Sequence, residues 1–429
     1  MFGFANFLLL ALFAAAVFDL IFALARGGGL RGALHGLWNT PHLLFGQQLA
    51  EWRLQLGRIL FAAGLAAYEI SVVFCNSMAR QNWAWVQGVM SPVLEWLVFL
   101  CFGAKILFGT RYTWRELLAG GALYFVARWV YFNSQNIWWI GIVVAVLAAK
   151  DVPLRRPLQV YFASGCAAMA VVLALHFAGI VAPDLTSERM GALRGTYGYG
   201  HPNTFGGLVF GLVLAYALLR AQKVRWVDCL LVFAVGVFLL VGPASRSAAL
   251  CTLALAVGLV FCRLRAGHSV PRWWPGTCAG MVGLTAAVSY LLPLLVIKVG
   301  PWNNDIGPAW LAKLDSLLTC RISLTWMAYR LLDVKIAGQV FNWPTVDNSF
   351  AFALFQFGPV VAALLGILFA AALWGHAKQG RRVEVCCLFA MLAYAYMEVQ
   401  PFHLTTNPTA LLLCGAVFAQ TSARWQKIE

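Results

Sequence analysis

Apolar runs of roughly 17 to 25 residues recur from one end of the chain to the other, each the length an α-helix needs to cross about 30 Å of hydrocarbon. They define an all-α, polytopic integral membrane protein. Only 11% of the 429 residues are charged and 62% are hydrophobic, whereas a soluble domain carries about 25% charged residues, so an ordinary soluble globular protein is excluded. Runs and breakers predict spans near residues 4–25, 59–75, 89–108, 116–132, 137–149, 158–182, 203–219, 227–242, 245–262, 276–299, 349–374, 383–398 and 408–420. The expectation is twelve to thirteen transmembrane helices in one domain covering 1–429. The count is twelve, with both termini on one side, if the first run does not cross; a 33-residue polar, Gly-containing stretch follows it. That run has no Lys or Arg before it, so it lacks the charged n-region of a cleaved secretory signal and reads as a retained membrane segment.

The chain carries 31 Lys and Arg against 16 Asp and Glu, a formal charge of +15. On a soluble protein this would suggest nucleic acid. Here the positive residues sit in short clusters between apolar runs, where they act as topology signals, and no nucleic-acid partner is expected. Connections at 26–58, 105–115, 150–156, 220–225, 263–272, 378–382 and 424–427 hold 21 of the 31, and the positive-inside rule assigns them to the cytoplasm. The opposite side keeps nine: Arg80, Arg189, Arg194, Arg246, Lys298, Lys313, Arg321, Arg330 and Lys335, with Arg128 inside a span. Topology does not require these nine. Of eleven cysteines nearly all lie inside apolar runs and only Cys320 falls in a long polar loop, so no disulfide framework is expected. The absence of a GxxxxGK[ST] loop, of GxGxxG between strand and helix and of a DxD pair argues against an ATP-driven pump or a transferase using nucleotide-sugars.

Two outer connections exceed plain turns: a Gly-rich loop at 183–203 and a large loop at 300–348. Loops this long are usually functional or disordered. The second contains WLAKLDSLLTCRISLTWMAYRLL, spaced as one amphipathic helix. At 100° per residue, Trp310, Leu314, Leu317, Leu318, Leu324, Ala328 and Leu332 fall within about 60° of Arg321. An Arg at the centre of an apolar face needs a buried partner, and a phosphate group would serve.

Three local elements carry chemistry. In RGTYGYGHPNTFG, residues 194–206, the three glycines before His201 permit close backbone approach, and Pro202 suits the first turn of a helix whose N–H groups can hold an anion. Arg194 adds a forked donor suited to phosphate oxygens; a Gly-rich turn with a capped helix would use the same residues, and His201 alone is more often a structural hydrogen-bonder. GPASRSAAL, residues 242–250, is a tight outer turn with Arg246 at its tip, where an Arg also commonly snorkels to lipid headgroups. In VDNSFAFALFQFG, residues 346–358, Asp347, Asn348 and Ser349 are placed for a site or for a helix cap. Glu398 and Asn407 flank the last outer connection with the same ambiguity. Asp19, Glu69, Glu95, Arg128 and Asp228 are ionisable groups within spans, the features a proton-coupled transporter would use.

In this order the three elements resemble the O-antigen ligase and polymerase superfamily over most of the chain, and more closely the oligosaccharide repeat-unit polymerases of bacterial capsule and exopolysaccharide systems. The family pattern of Arg, Gly, His-Pro-Asn and Gly matches Arg194, Gly198, His201, Pro202, Asn203 and Gly206. Its small-residue turn with Ser-Arg matches Ser245 and Arg246, and its large-loop pattern matches Arg321, Ile322, Gly338, Gln339, Asp347, Asn348, Ser349 and Phe350. Cys320 stands where a Gly is common. The ligase branch typically carries a His where this chain has Asp347, which favours polymerase.

The resemblance implies glycosyl transfer without metal or other cofactor, at the outer face of the cytoplasmic (inner) membrane of a bacterium. Polyprenyl-diphosphate-linked oligosaccharides would be donor and acceptor, membrane lipids the surroundings, and a glycan flippase and chain-length regulator the companion proteins. Catalytic residues are expected at Asp347, His201 and Arg321, and substrate-binding residues at Arg194, Asn203, Arg246, Gln339, Asn348, Glu398 and Asn407. The arginines would stabilise the leaving diphosphate. The base candidates are Asp347, His201 and Glu398, with Asp347 favoured. Trp302, Trp310, Trp326 and Trp343 suit stacking on sugars or an interfacial belt. Two alternatives stay open: a ligase passing glycan to another acceptor, and a lipid-linked glycan transporter, for which an internal repeat would be expected and none is evident.

Overall fold

A computed structural model of the chain describes residues 2–26, 29–45, 51–181, 187–189, 192–296 and 308–418. Helices α1 (Phe2–Ala25), α2 (Gly29–Asn39), α3 (Glu51–Val73) and the short α4 (Ala79–Asn82) open the fold. They lead to α5 (Ser91–Phe108), α6 (Trp114–Ser134), α7 (Ile137–Ala148) and α8 (Arg155–Phe177). Next come α9 (Pro202–Leu219), α10 (Trp226–Val241), α11 (Arg246–Leu264) and α12 (Trp274–Leu291). The chain continues through α13 (Ala309–Leu317), α14 (Arg321–Leu331), α15 (Ser349–Phe352), α16 (Pro359–Lys378), α17 (Arg382–Met397) and α18 (Cys414–Val417). Strand among the described residues is limited to two antiparallel pairs, β1 (His42–Leu43) with β2 (Arg111–Tyr112) and β3 (Ser187–Arg189) with β4 (Ala192–Arg194).

Eight described helices are long and apolar enough to cross a membrane, and Ile137–Ala148, Trp226–Val241 and Pro408–Val417 are shorter apolar helices. The chain is therefore an all-α, multi-pass membrane protein. Burial explains the arrangement. IWWIGIVVAVLA in α7 is apolar on every side and is buried from Trp139 to Ala148, as a helix without a polar face must be when it sits at the centre of a bundle. In contrast, α10 leaves Val227, Leu230, Phe233 and Val241 exposed, a surface that belongs against hydrocarbon.

The ends of three helices fix the functional geography. From Pro202, Arg246 and Met397 respectively, α9, α11 and α17 run to Leu219, Leu264 and Arg382, the first ends gathering at one pole and the second at the other. Eighteen residues at 1.5 Å each separate the poles by about 27 Å.

Two expected helices are broken. Instead of one amphipathic helix over 310–332 there are two, because Thr319 (φ 61) and Cys320 (φ 63) take left-handed backbone, which ends a right-handed helix. The second starts under a borrowed cap: Asp315 Oδ1 accepts from the Ile322 and Ser323 N–H groups at 2.7 and 3.2 Å. Arg321 thus becomes the first residue of α14 rather than the middle of a continuous stripe. The span expected over 349–374 breaks at Gly358 (φ 89). The large loop backs into this break so closely that a Cβ on Gly338 would lie 2.0 Å from the Gln356 carbonyl oxygen, which accounts for glycine there.

Candidate functional site

Glu398 follows the last residue of α17 and is 5% exposed. Its Oε1 accepts from Arg321 Nη2 at 2.6 Å, Ser247 Oγ at 2.8 Å and Asn203 Nδ2 at 3.1 Å. These donors come from the starts of α14, α11 and α9, so one carboxylate oxygen ties four segments together. Among the described residues Glu398 Oε2 accepts no hydrogen bond. Asn203 extends the network: its Oδ1 accepts from Arg194 Nη2 at 2.9 Å, and its backbone carbonyl from Gln400 Nε2 at 3.2 Å. Ala244, held at φ 49, turns its carbonyl to Arg194 Nη2 at 3.2 Å. Gly206 belongs to this packing, since a Cβ there would lie 2.3 Å from Ser245 Oγ.

Helix dipoles make this pole attractive to anions. The helices α9, α11 and α14, of 18, 19 and 11 residues, all begin here, and helix N-termini carry partial positive charge. Arg246 and Arg321 are nonetheless the first residues of α11 and α14, where a cation is disfavoured by about 0.3–1 kcal/mol. Glu398 compensates Arg321. The guanidinium also donates from Nε to the Met397 carbonyl and from Nη1 to the Leu318 carbonyl at 2.8 Å, so most of its N–H groups are occupied by protein. The buried partner of Arg321 is a carboxylate, not the phosphate its sequence position suggested.

The remaining expected residues divide by what they touch. Asp347 is half-buried, close enough to Glu398 for the two carboxylates to repel, and makes no hydrogen bond or ion pair among the described residues. His201 is exposed and caps α9, its Nδ1 accepting from the Asn203 N–H at 3.1 Å; a ring nitrogen that accepts a backbone N–H lacks the open lone pair a base needs. Arg246 is exposed beside Ser245 and Ser247. Asn348 is buried, caps α15 through Oδ1 and donates to Ser289 Oγ at 3.1 Å. Its neighbour Ser349 donates to the Glu398 carbonyl. Gln339 and Asn407 stand apart from this network. The Gln339 amide donates to the Asp333 carbonyl of its own loop, and Asn407 caps the 408–413 turn and donates to the Pro401 carbonyl at 3.0 Å. Trp310 and Trp343 are exposed, Trp326 packs under Arg330, and Trp302 lies outside the described residues, as do 183–186, 190–191 and 300–307 of the two outer loops.

Sequence reasoning did not single out Ser247, Gln400 or Tyr394, whose OH donates to Gln400 Oε1 at 2.8 Å. Ser247 directly follows Arg246 in the Ser-Arg-Ser run of the outer turn, and that repetition was its one visible signal. Among the described residues no group of three or more His, Cys, Asp or Glu converges as metal ligands would. Comparisons with protein-family models, curated proteins and solved structures give no match to this chain.

Proposed function

We propose that this protein is a glycosyltransferase that polymerises polyprenyl-diphosphate-linked oligosaccharide repeat units at the outer face of a bacterial cytoplasmic membrane, with about twelve to thirteen crossings and the site facing outward. One observation carries the reading. Arg194, Arg246 and Arg321 meet three helix N-termini beside the unbonded carboxylate of Asp347, at the pole opposite the arginine-rich connections. That combination suits a lipid diphosphate and an acceptor hydroxyl together.

In this reading the donor diphosphate lies against Arg194, Arg246 and the helix starts. The acceptor hydroxyl gives its proton to Asp347 while its oxygen bonds to the anomeric carbon. The bond from that carbon to the diphosphate oxygen breaks, and the electron pair leaves with the diphosphate, whose growing charge the arginines stabilise. Glu398 and Arg321 hold the walls in register. Purified protein incubated with lipid-linked repeat units should give a gel ladder stepping by one repeat. A single product on another acceptor points to a ligase, and no transfer at all refutes the reading.

A transporter is the second reading, favoured by Glu69. It lies in the body of α3, 1% exposed, with neither carboxylate oxygen hydrogen-bonded, and such groups in membrane spans commonly mark ion paths. Flux of lipid-linked glycan across protein-containing vesicles without any polymer, lost in Glu69→Gln, would select it.

A further inference from the structure

The other pole contains a second feature that the proposed activity does not use. Where α9 and α11 end and α8, α10 and α17 begin, the protein encloses an open basin of about 770 Å³, within the range of small-ligand sites. Seven basic side chains line it against one acidic residue, Glu384. Positive-inside topology accounts for arginines at this pole, but not for their convergence on one concavity.

The basin is built rather than incidental. Arg220 Nε binds Asp228 Oδ1 at 3.1 Å, and Asp228 Oδ2 accepts the Arg225 N–H at 2.7 Å, fixing the 220–225 turn. Arg382 donates to the carbonyls of Arg265, His268 and Ser269, which pins the 265–269 turn to the start of α17. With these two consumed as struts, Arg155, Lys223, Arg225 and Arg263 make no side-chain hydrogen bond or ion pair among the described residues. Three of the helices around the basin begin there and three end there, α16 included, so their dipoles largely offset. Side-chain charge sets the potential. Arg155, Arg225 and Arg382 sit at helix starts, where a cation is disfavoured, and an anion in the basin would relieve all three.

We propose that this basin is a binding site for phosphate groups, supplied by an anionic lipid headgroup or by a soluble diphosphate. Guanidinium forks from separate segments match phosphate oxygens. The site lies a helix length from Glu398, so the proposal stands or falls apart from the glycosyltransferase reading.

The test uses purified full-length protein. One arm measures retention of phosphatidylglycerol over phosphatidylcholine by native mass spectrometry from mixed nanodiscs; the other follows thermal unfolding in neutral detergent with inorganic pyrophosphate, against sulfate at equal ionic strength. Selective retention alone identifies a lipid headgroup, and a pyrophosphate shift alone or with it identifies the phosphate itself. Arg225→Gln/Arg263→Gln should weaken the response about tenfold or more, Arg225→Lys/Arg263→Lys, which keeps the charge but not the fork, should fall between that and wild type, and Arg31→Gln/Arg58→Gln, the same charge loss outside the basin, should leave it within about twofold. Equal loss in the last pair, or no response in either arm for the wild-type protein, overturns the proposal. The wild-type arms stand even if a double variant fails to fold.

Discussion

Two buried polar networks hold this bundle together, and they differ in how completely their carboxylates are used. At the arginine-rich pole Lys150 Nζ lies 3.2 Å from Glu116 Oε1 and 3.6 Å from Asp151 Oδ1, and Arg111 Nε lies 3.7 Å from Asp151 Oδ2. Glu116 Oε2 accepts the Thr113 N–H at 2.9 Å and Asp151 Oδ2 the Arg111 N–H at 3.1 Å. Lys105 closes the cluster on Thr110 Oγ1 at 2.6 Å. Every carboxylate oxygen there has a partner. At the other pole all three donors to Glu398 crowd onto Oε1, and Asp347 accepts none among the described residues. A closed network is a lock. One that leaves carboxylate oxygens without a protein donor has capacity for a ligand or a proton.

The sharpest way to break this contrast is Asp347→Asn, which keeps size and capping ability and removes the proton acceptor. We expect polymer formation to fall by about 10²–10⁴-fold, with normal membrane insertion, unchanged thermal unfolding and retained binding of the lipid-linked repeat. If Asp347→Asn polymerises normally while Glu398→Gln does not, the open oxygen that matters is Glu398 Oε2 and Asp347 serves the loop.

The lock should fail differently. Lys150→Met leaves Glu116 buried without its cation and Asp151 with Arg111 alone, and breaking a buried pair costs about 3–5 kcal/mol; thermal unfolding should drop accordingly while turnover per folded molecule stays near wild type. Acid sharpens the same point. Burial alone would raise the Asp151 carboxyl, but Lys150, then Lys105, then the Arg111 N–H and guanidinium outweigh it and hold the group below its ordinary value. A depressed folded value means the stabilisation is complete above about pH 4 and is lost as pH falls through the folded value. Lys150→Met should flatten that acid limb. A variant that lost activity per folded molecule instead would merge the two networks into one functional unit.

A smaller effect is expected from Arg321→Lys, which keeps the charge facing Glu398 but cannot reach Met397, Leu318 and Ser247 together. With one ion pair kept and two or three hydrogen bonds lost, each worth about 0.5–1.5 kcal/mol, polymer yield should fall roughly tenfold to a hundredfold, accompanied by a lower unfolding temperature. Loss of yield without any change in unfolding would return Arg321 to direct contact with substrate.

What the sequence made legible follows from range. Spans were legible because apolar run length and helix length obey the same 1.5 Å rise. The residues of the site were also visible, since Arg194, Asn203, Arg321, Asp347 and Glu398 are polar groups where the membrane setting makes polarity costly. Their pairing was not: Arg321 and Glu398 are 77 positions apart, and no periodicity couples them. Lys105 and Lys150 show the converse. They sit in clusters that read as topology signals, yet both are buried, Lys150 against the Glu116 carboxylate and Lys105 against the Thr110 hydroxyl and the Lys150 carbonyl, because a side chain near a helix end can turn inward to a polar group as easily as outward to headgroups. The break between α13 and α14 was hidden because hydrophobic periodicity runs straight through it, and two left-handed residues leave no apolar signature.

That break supplies the smallest and most local test. Cys320 sits at φ 63, a region where an L side chain costs about 1–2 kcal/mol and glycine does not. Cys320→Gly removes the strain and adds backbone freedom to the unfolded chain, which returns roughly 0.5–1 kcal/mol of the gain. The net expectation is a stabilisation of up to about 1 kcal/mol, read as a rise of a few degrees or less in unfolding temperature, with activity at wild-type level because Arg321 keeps its place under the Asp315 cap. Cys320→Val pushes the other way, since a β-branched side chain tolerates this conformation worst. It should shift the start of α14, loosen the Arg321–Glu398 pair and lower activity together with stability. If glycine destabilises and valine is neutral, the left-handed turn is not what sets Arg321 against Glu398, and the closed half of this pole must be held from α9 and α11 instead.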